Sequence, residues 1–380
     1  MSEPESRALP RVTRLILRDF RTYTDLDLAV GRDLVALVGD NGAGKTNLLE
    51  ALSLFAPGRG LRRAEFAAMA REGGAGGFAA SIALDTAYGE HRLGTGYEPG
   101  AQRQCRIDGA TASPAAFSEH VRVVWLTPDL DGLFRGPAGD RRRFLDRLVL
   151  SVDPAHGTRV AALERALRAR NRLLEEDEPR WLDAVERELG ELAVAVAAAR
   201  RETVSRLSAQ VEAGRSASPF PHAELALEGE FDVLVASLPA IDAEDRYRVL
   251  LREGRARDRA AGRTLVGPQA SDLAVRHGPK GIAASGASTG EQKALLIGLV
   301  LAHARLVRTM SGIAPLVLLD EVAAHLDPGR RAALFDALSA LGSQVWTSGA
   351  DAAPFADLAD RADLLRVAPG RVEPWIAAPG

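Results

Sequence analysis

Two short stretches separated by most of the chain constrain this sequence more than anything else in it. Gly39-Asp40-Asn41-Gly42-Ala43-Gly44-Lys45-Thr46 lies near the start. Ser288-Thr289-Gly290-Glu291-Gln292-Lys293 and Leu316-Val317-Leu318-Leu319-Asp320-Glu321 lie near the end. The first has the spacing of a phosphate loop: glycines let backbone N–H groups close on phosphates, Lys45 reaches the β and γ oxygens, and the Thr46 hydroxyl is placed to ligate Mg²⁺. The residues Gly39, Asp40, Asn41, Gly42, Ala43, Gly44, Lys45, Thr46 and Asn47 therefore form the expected nucleotide cradle. The apolar run Leu34 to Val38 before them predicts a buried parallel strand, and Asn47 to Leu54 a helix whose N-terminus faces the anion.

The later motifs narrow the class. Leu316 to Leu319 predicts a second buried strand, ending in Asp320 to share the metal with Thr46 and Glu321 to orient the attacking water, so Glu321 and Lys45 are the expected catalytic pair. Ser288, Gly290 and Gln292 open a long apolar helix, Ala294 to Val307, and form a second anion site. The same Ser-Thr-Gly-Glu-Gln segment also fits a plain capped helix start with Glu291 as the capping-box partner. The layout resembles the ABC-type ATPases, in which the signature helix of one subunit caps ATP held by the other. That resemblance implies an ATP-dependent homodimer, with Asp327 of Ala324-His325-Leu326-Asp327 signalling across it.

Length and composition agree with an α/β fold. The chain has 380 residues, 46% apolar and 26% charged, enough for a full core and more than one domain. A net charge of −3 gives no global basic field, so any DNA site must be a local patch. Lys45, Lys280 and Lys293 are its only lysines, and two of them lie in the nucleotide motifs. One cysteine, Cys105, excludes a disulfide framework or a zinc hook. Residues Met1 to Pro10 do not read as a targeting peptide, and no run reads as membrane-spanning, so a cytoplasmic protein without a membrane partner is expected.

About 240 residues separate Lys45 from Ser288, more than a compact ABC subunit needs. From Asp140 to Arg215, apolar residues recur at helical spacing with breaks at Asp153-Pro154 and Glu178-Pro179, predicting three or four packed helices. The expected architecture is an ABC-type phosphate-loop ATPase head, 1–139 and 216–380, interrupted by a helical lobe at 140–215. Alternating patterns predict strands at Val12–Phe20, Leu26–Val30, Phe78–Leu84, Val121–Leu126, Glu224–Phe231 and Leu265–Val275, with Val345-Trp346-Thr347 as the last. Gly73–Gly77 and Gly278–Gly286 read as flexible loops.

Leu17-Arg18-Asp19-Phe20-Arg21-Thr22-Tyr23, the run from Gly42 to Leu52, and Gly58-Arg59-Gly60-Leu61-Arg62 resemble the opening of the RecF family of bacterial recombination-repair ATPases. Pro128-Asp129-Leu130, Gly136-Pro137, Arg141-Arg142-Arg143-Phe144-Leu145-Asp146, Arg170-Asn171 and Gly267-Pro268 follow in the same order. The resemblance implies an ATP-dependent dimer that binds double-stranded and gapped or junction DNA and helps RecO and RecR load RecA. It also implies slow, DNA-stimulated hydrolysis, because the switch histidine of ABC ATPases is missing and Thr347-Ser348-Gly349-Ala350 stands there. This chain departs from the family pattern at Gln269-Ala270-Ser271-Asp272, where His-Arg-Asp-Asp is common. The magnesium-sensing glutamine has no clear counterpart around Trp125-Leu126-Thr127-Pro128.

For DNA, Arg59, Arg62 and Arg63, and Arg141, Arg142 and Arg143, form clusters able to neutralise phosphates. Each reads equally well as solvated or internally paired surface, with Asp140 and Asp146 available to the second. The run Arg252, Arg255, Arg257 and Arg259 reads as an exposed helix face. Phe20 to Tyr23 could border the adenine or form a structural turn, and Asn171 is open between roles. With aromatics at 5% and none interleaved with arginines, DNA contact is expected to be backbone-directed. Two other classes share the head motifs: a transporter ATPase, which the insertion disfavours, and a regulatory ATPase of the overcoming-lysogenisation type, which usually adds a nuclease domain.

Overall fold

The computed structural model describes residues 10–176, 178–323, 326–358 and 360–375. It divides into two compact units, one of residues 1–131, 214–221 and 288–380, the other of 132–213 and 222–287. Elements are numbered in chain order.

In the first unit the all-apolar run β3 (Leu34–Val38) is buried along its whole length, as a strand covered on both faces must be. It sits in a six-stranded sheet between β14 (Ala362–Ala368) and β13 (Val345–Gly349), followed by β12 (Leu316–Leu319) and β8 (Val123–Leu126). All of these are parallel, and β15 (Arg371–Pro374) is added antiparallel at the edge. Val345–Thr347 is therefore not the last strand. β14 was unread because Asp363 and Arg366 interrupt its apolar run. The phosphate-loop helix α1 (Lys45–Ser53), the signature helix α8 (Thr289–Ser311) and α9 (Pro328–Ala340) complete this layer. Among the described residues only α8 is long and apolar enough to cross a membrane, and most of it is buried in the core.

A second sheet of this unit is antiparallel throughout. Its order is β2 (Tyr23–Ala29), β1 (Arg11–Phe20), β4 (Phe78–Thr86), β5 (Gly89–Tyr97), β6 (Gln104–Ile107) and β7 (Ala110–Thr111). One apolar cluster fills the space among this sheet, α1 and the parallel sheet, including Leu15, Leu17, Leu37, Leu52, Trp125, Leu318 and Trp346. Buried Gln344 joins the two sheets: its Oε1 accepts from Val12 N–H, and its Nε2 donates to the Val12 carbonyl, both at 2.9 Å.

The second unit carries α2 (Ala138–Val152), α3 (His156–Glu175) and α4 (Pro179–Ala213), so the two sequence breaks fall at helix ends. It also contains α5 (Glu230–Ser237), α6 (Ala240–Glu253), α7 (Arg255–Ala261) and a small sheet of β11 (Ile282–Ala283), β10 (Asp272–His277) and β9 (Ala223–Glu228). The unit thus extends beyond the 140–215 insertion read from sequence, because α5 and α6 pack on α4 through Phe231, Tyr247 and Leu251, and α7 packs on α3. The expected strand at Leu265–Val275 begins only at Asp272. Its first half is a turn, with Ala270 N–H bonded to the Gly267 carbonyl and Val266 pinned by the Tyr247 hydroxyl. After Gly229 the chain turns helical, burying Phe231 and Val235 one turn apart. Gly278–Gly286 is ordered into two short 3₁₀ turns flanking β11.

Candidate nucleotide-binding site

The phosphate loop joins β3 to α1, and the sequence leaves it little choice of shape. A Cβ on Gly39 would run into the Val367 carbonyl. Gly44 has a left-handed φ of +110° and lies so close to Thr22 and Tyr23 that a Cβ would meet the Tyr23 hydroxyl at 2.8 Å. Lys45 is 4% exposed. Its Nζ donates to the Gly39 and Asp40 carbonyls at 2.6 and 2.9 Å, so the cation sits inside the ring of loop amides. The free N–H groups at the start of α1 add positive potential at the same place.

The structure brings the two sequence motifs together. Thr46 Oγ1 donates to the Asp320 carboxylate, 3.1 Å from Oδ1 and 2.9 Å from Oδ2, across 274 residues. Both groups are hard oxygen donors, the kind Mg²⁺ takes. Beside them the Thr127 hydroxyl is buried with no hydrogen-bond partner among the described residues, next to the point where Asp320 N–H donates to the Leu126 carbonyl. This orphaned oxygen suits a metal-bound water, and the donor set fits a magnesium ion. Glu321 follows with φ +53°, a left-handed conformation that costs a non-glycine residue on the order of 1–3 kcal/mol. Its N–H is held by the Ser348 hydroxyl.

The β1–β2 hairpin abuts the loop. Tyr23 Oη donates to the Gly44 carbonyl, Asn47 Nδ2 donates to Thr22 Oγ1 at 3.1 Å, and Arg21 pairs with fully buried Glu50 through two bonds of 2.8 and 2.7 Å. Burial pushes the Tyr23 phenol up, so it remains a protonated donor. Phe20 and Tyr23 are both buried, so their rings are unavailable for stacking on adenine, while Arg21 and Thr22 between them are not buried. A cavity of about 470 Å³ borders Gly39 to Ala43, with Asp351, Arg366 and Trp375 opposite. Lys45, Thr46 and Asp320 do not line it, so it lies beside the phosphate–metal corner.

At the signature segment, Ser288 caps α8. Its Oγ accepts from Glu291 N–H, and the Glu291 carboxylate accepts from Ser288 N–H at 3.0 Å, a complete capping box. Ser288, Thr289 and Gly290 are nonetheless exposed, whereas Gln292 is buried and points inward. Lys293 is also buried and sits 3.6 Å from Asp131, so it is a structural cation. Asp327 caps α9 and accepts from Arg330 N–H at 2.9 Å. Ala324 and His325 lie outside the described residues.

The arginine clusters are unequal. Arg59 pairs with Glu65, and Arg62 donates to Asn47 Oδ1 at 2.8 Å and Glu50 at 3.1 Å. Arg63, with φ +54°, donates its N–H to the Gly60 carbonyl, and its side chain has no ion pair among the described residues. Arg141 forks onto Asp272 at 2.8 and 2.7 Å, Arg142 donates to the Ser271 carbonyl, and Arg143 pairs with Asp140. The first two organise the turn before β10 and are not offered as a phosphate-binding pair. Asp146 serves His156 and Arg200 instead of that cluster. Asn171 accepts from Thr264 N–H and Oγ1, and Gln269 donates to the Thr264 and Val266 carbonyls, so both hold the second unit's own turn. Arg255 is likewise tied down, by Asp183 and Glu186, and is not part of a free helix face. Sequence reasoning missed Ser348, which carries no motif of its own.

Residues 11–360 match the family described as RecF/RecN/SMC N terminal domain. The chain is 53% identical to the DNA replication and repair protein RecF of Mesorhizobium japonicum, covering 97% of this chain and 98% of that one. It is 54% identical to the RecF of Rhizobium meliloti, with 95% and 98% covered. Among solved structures, the recombination mediator protein RecF-ATPrS in the RecFOR pathway superposes with a TM-score of 0.86 at 18% identity, covering 98% and 100%. An Smc head domain from Pyrococcus furiosus gives 0.52 at 17%, covering 96% of each chain.

Proposed function

Because this chain belongs to the RecF family, we propose that it is an ATP-binding, ATP-hydrolysing protein of DNA repair and replication that grips DNA as an ATP-closed dimer. The observation that carries this reading is the Thr46–Asp320 contact, which brings oxygen donors from two distant motifs together. Lys45 and the loop amides bind the phosphates, and Thr46 and Asp320 would hold the magnesium ion. When bound, that ion neutralises charge on the β and γ oxygens. Glu321 orients water. Exposed Ser288 and Gly290 of the partner subunit close over the γ-phosphate, and Asp327 reports closure; inward-facing Gln292 acts only by supporting that turn. Hydrolysis opens the dimer and releases DNA.

The DNA is double-stranded near a gap or junction and is held by its backbone. The exposed side chains Arg59, Arg63 and Arg143 are the contacts that remain from the two clusters. By kinship the partners are RecO and RecR, in the service of RecA loading, and the compartment is the cytoplasm. Hydrolysis is slow and stimulated by DNA.

The test is fluorescence anisotropy of a labelled gapped duplex with Glu321→Gln, with and without Mg-ATP, across a salt series. ATP-dependent binding that weakens steeply with salt is expected. Absence of binding under both conditions would reject the DNA reading and leave an ATPase acting elsewhere.

A further inference from the structure

Ser348 has no task in the reading above, yet its hydroxyl lies at the centre of the site. It is fully buried near the end of β13 and makes two hydrogen bonds. It donates to Asp320 Oδ1 at 2.6 Å and accepts from Glu321 N–H at 2.9 Å. An amide N–H can only donate, so the hydroxyl proton is committed to the carboxylate. We propose that Ser348 is a positioning residue for hydrolysis, tying the metal-binding carboxylate of Asp320 to the turn that aims Glu321. This rests on the roles given above to Asp320 and Glu321.

Strand order makes the position special. β13 pairs with β3, which leads into the phosphate loop, and with β12, which leads into Asp320. A side chain at its end is therefore level with both motifs, and Leu319 pairs in register with Thr347, the residue before Ser348. Thr46 reaches both oxygens of Asp320, whereas Ser348 bonds Oδ1 alone, so Oδ2 is the oxygen that Ser348 leaves for a metal ion or its water.

The second bond bears on the water-orienting residue. Glu321 is left-handed, and its N–H lies past the end of β12, where no strand partner takes it. The Ser348 oxygen is what satisfies it, so loss of that oxygen would free both the Asp320 carboxylate and the turn that presents Glu321. Ser348 is fully buried, bonded to the Asp320 carboxylate and the Glu321 N–H, and acts only through them.

The experiment uses the full chain as wild type, Ser348→Ala, Ser348→Cys and Ser348→Thr. It measures ATP turnover against Mg²⁺ concentration, and affinity for a fluorescent ATP analogue with Mg²⁺ and in EDTA. In Ser348→Ala we expect the half-saturating Mg²⁺ to rise and kcat to fall by about 10- to 100-fold. Affinity in EDTA and KM should stay within about twofold. Ser348→Cys, near in size but a weak hydrogen-bonder, should lose Mg²⁺ affinity without leaving a cavity, and Ser348→Thr should restore it. Wild-type Mg²⁺ dependence in the Ala or Cys variant overturns the proposal, as does equal loss of EDTA affinity in all three, which would make Ser348 a packing residue. If wild type itself binds nucleotide no better than Lys45→Ala, the underlying site assignment falls, and the proposal falls with it. That outcome shows itself before any change at Ser348.

Discussion

Two buried polar clusters in this protein are finished to different degrees. In the second unit, fully buried Arg170 donates to Glu186, Asp258, Thr264 Oγ1 and the Leu251 carbonyl at 2.7–3.0 Å, and a further arginine, Arg255, also reaches Glu186. Every bond there is to a group fixed by the fold. In the first unit Lys45 leans on loop carbonyls, Thr46 on a carboxylate, and the Thr127 hydroxyl has no partner among the described residues. Saturation marks a cluster that holds the fold. Bonds that a phosphate or a metal can take over mark one that turns over ligand.

The comparison can be broken at four points. The largest effect is expected at Arg170→Ala, which removes the buried cation from Asp258 and leaves Glu186 with Arg255, and should cost about 3–5 kcal/mol in urea unfolding. Nucleotide affinity of the molecules that remain folded should be unchanged, and a selective loss of affinity would make the cluster functional. Lys45→Ala should do the reverse. Turnover and ATP-driven dimerisation, followed by light scattering, should drop by about 10²-fold or more with stability altered by about 1 kcal/mol. Dimerisation equal to wild type would reject Lys45 as the phosphate ligand.

Arg141→Ala comes next, at about 1.5–3 kcal/mol for a charged pair that is mostly shielded. The Arg141 hydrogen bonds hold the Asp272 carboxyl below its ordinary range. A depressed carboxyl contributes stability above its unfolded pKa and loses it as pH falls through the folded one. The cost of Arg141→Ala in thermal melts should therefore be full at neutral pH and shrink below about pH 4. A cost that does not vary with pH would assign it to packing. The smallest effect belongs to Asp232, whose buried carboxylate is pushed up by burial against the opposing pull of the Ser271 hydroxyl and Arg200. A raised carboxyl weakens the fold above its unfolded pKa. Asp232→Asn should then add about 1 kcal/mol at neutral pH and nothing below about pH 4.

The parts of this molecule legible in its sequence are those whose cause is local. β3, the glycine loop and α1 are contiguous, so their pattern could be read directly, as could the helix breaks at Pro154 and Pro179. The metal corner was legible because Thr46 and Asp320 each sit in a recognisable run. Ser348 was not, since its meaning comes from a register 28 residues away. Arg170 was opaque for the same reason, with partners 88 and 94 residues distant. Arg141 was misleading because a basic cluster looks alike whether it faces solvent or Asp272. In the antiparallel sheet, β5 to β7 went unread because Gly94, Gly96 and exposed polar residues blur their alternation.

The place of β3 also sets a timetable. Its sheet neighbours are β13 and β14, which begin at Val345 and Ala362, and the N–H and carbonyl of Val12 wait for Gln344. As the chain leaves the ribosome, the strand that carries the phosphate loop has no sheet to join until nearly all of it has been made, whereas residues 132–213 and 222–287 have by then met their own partners. A ribosome that stalls before Gln344 would release a product with a folded insertion and no nucleotide site.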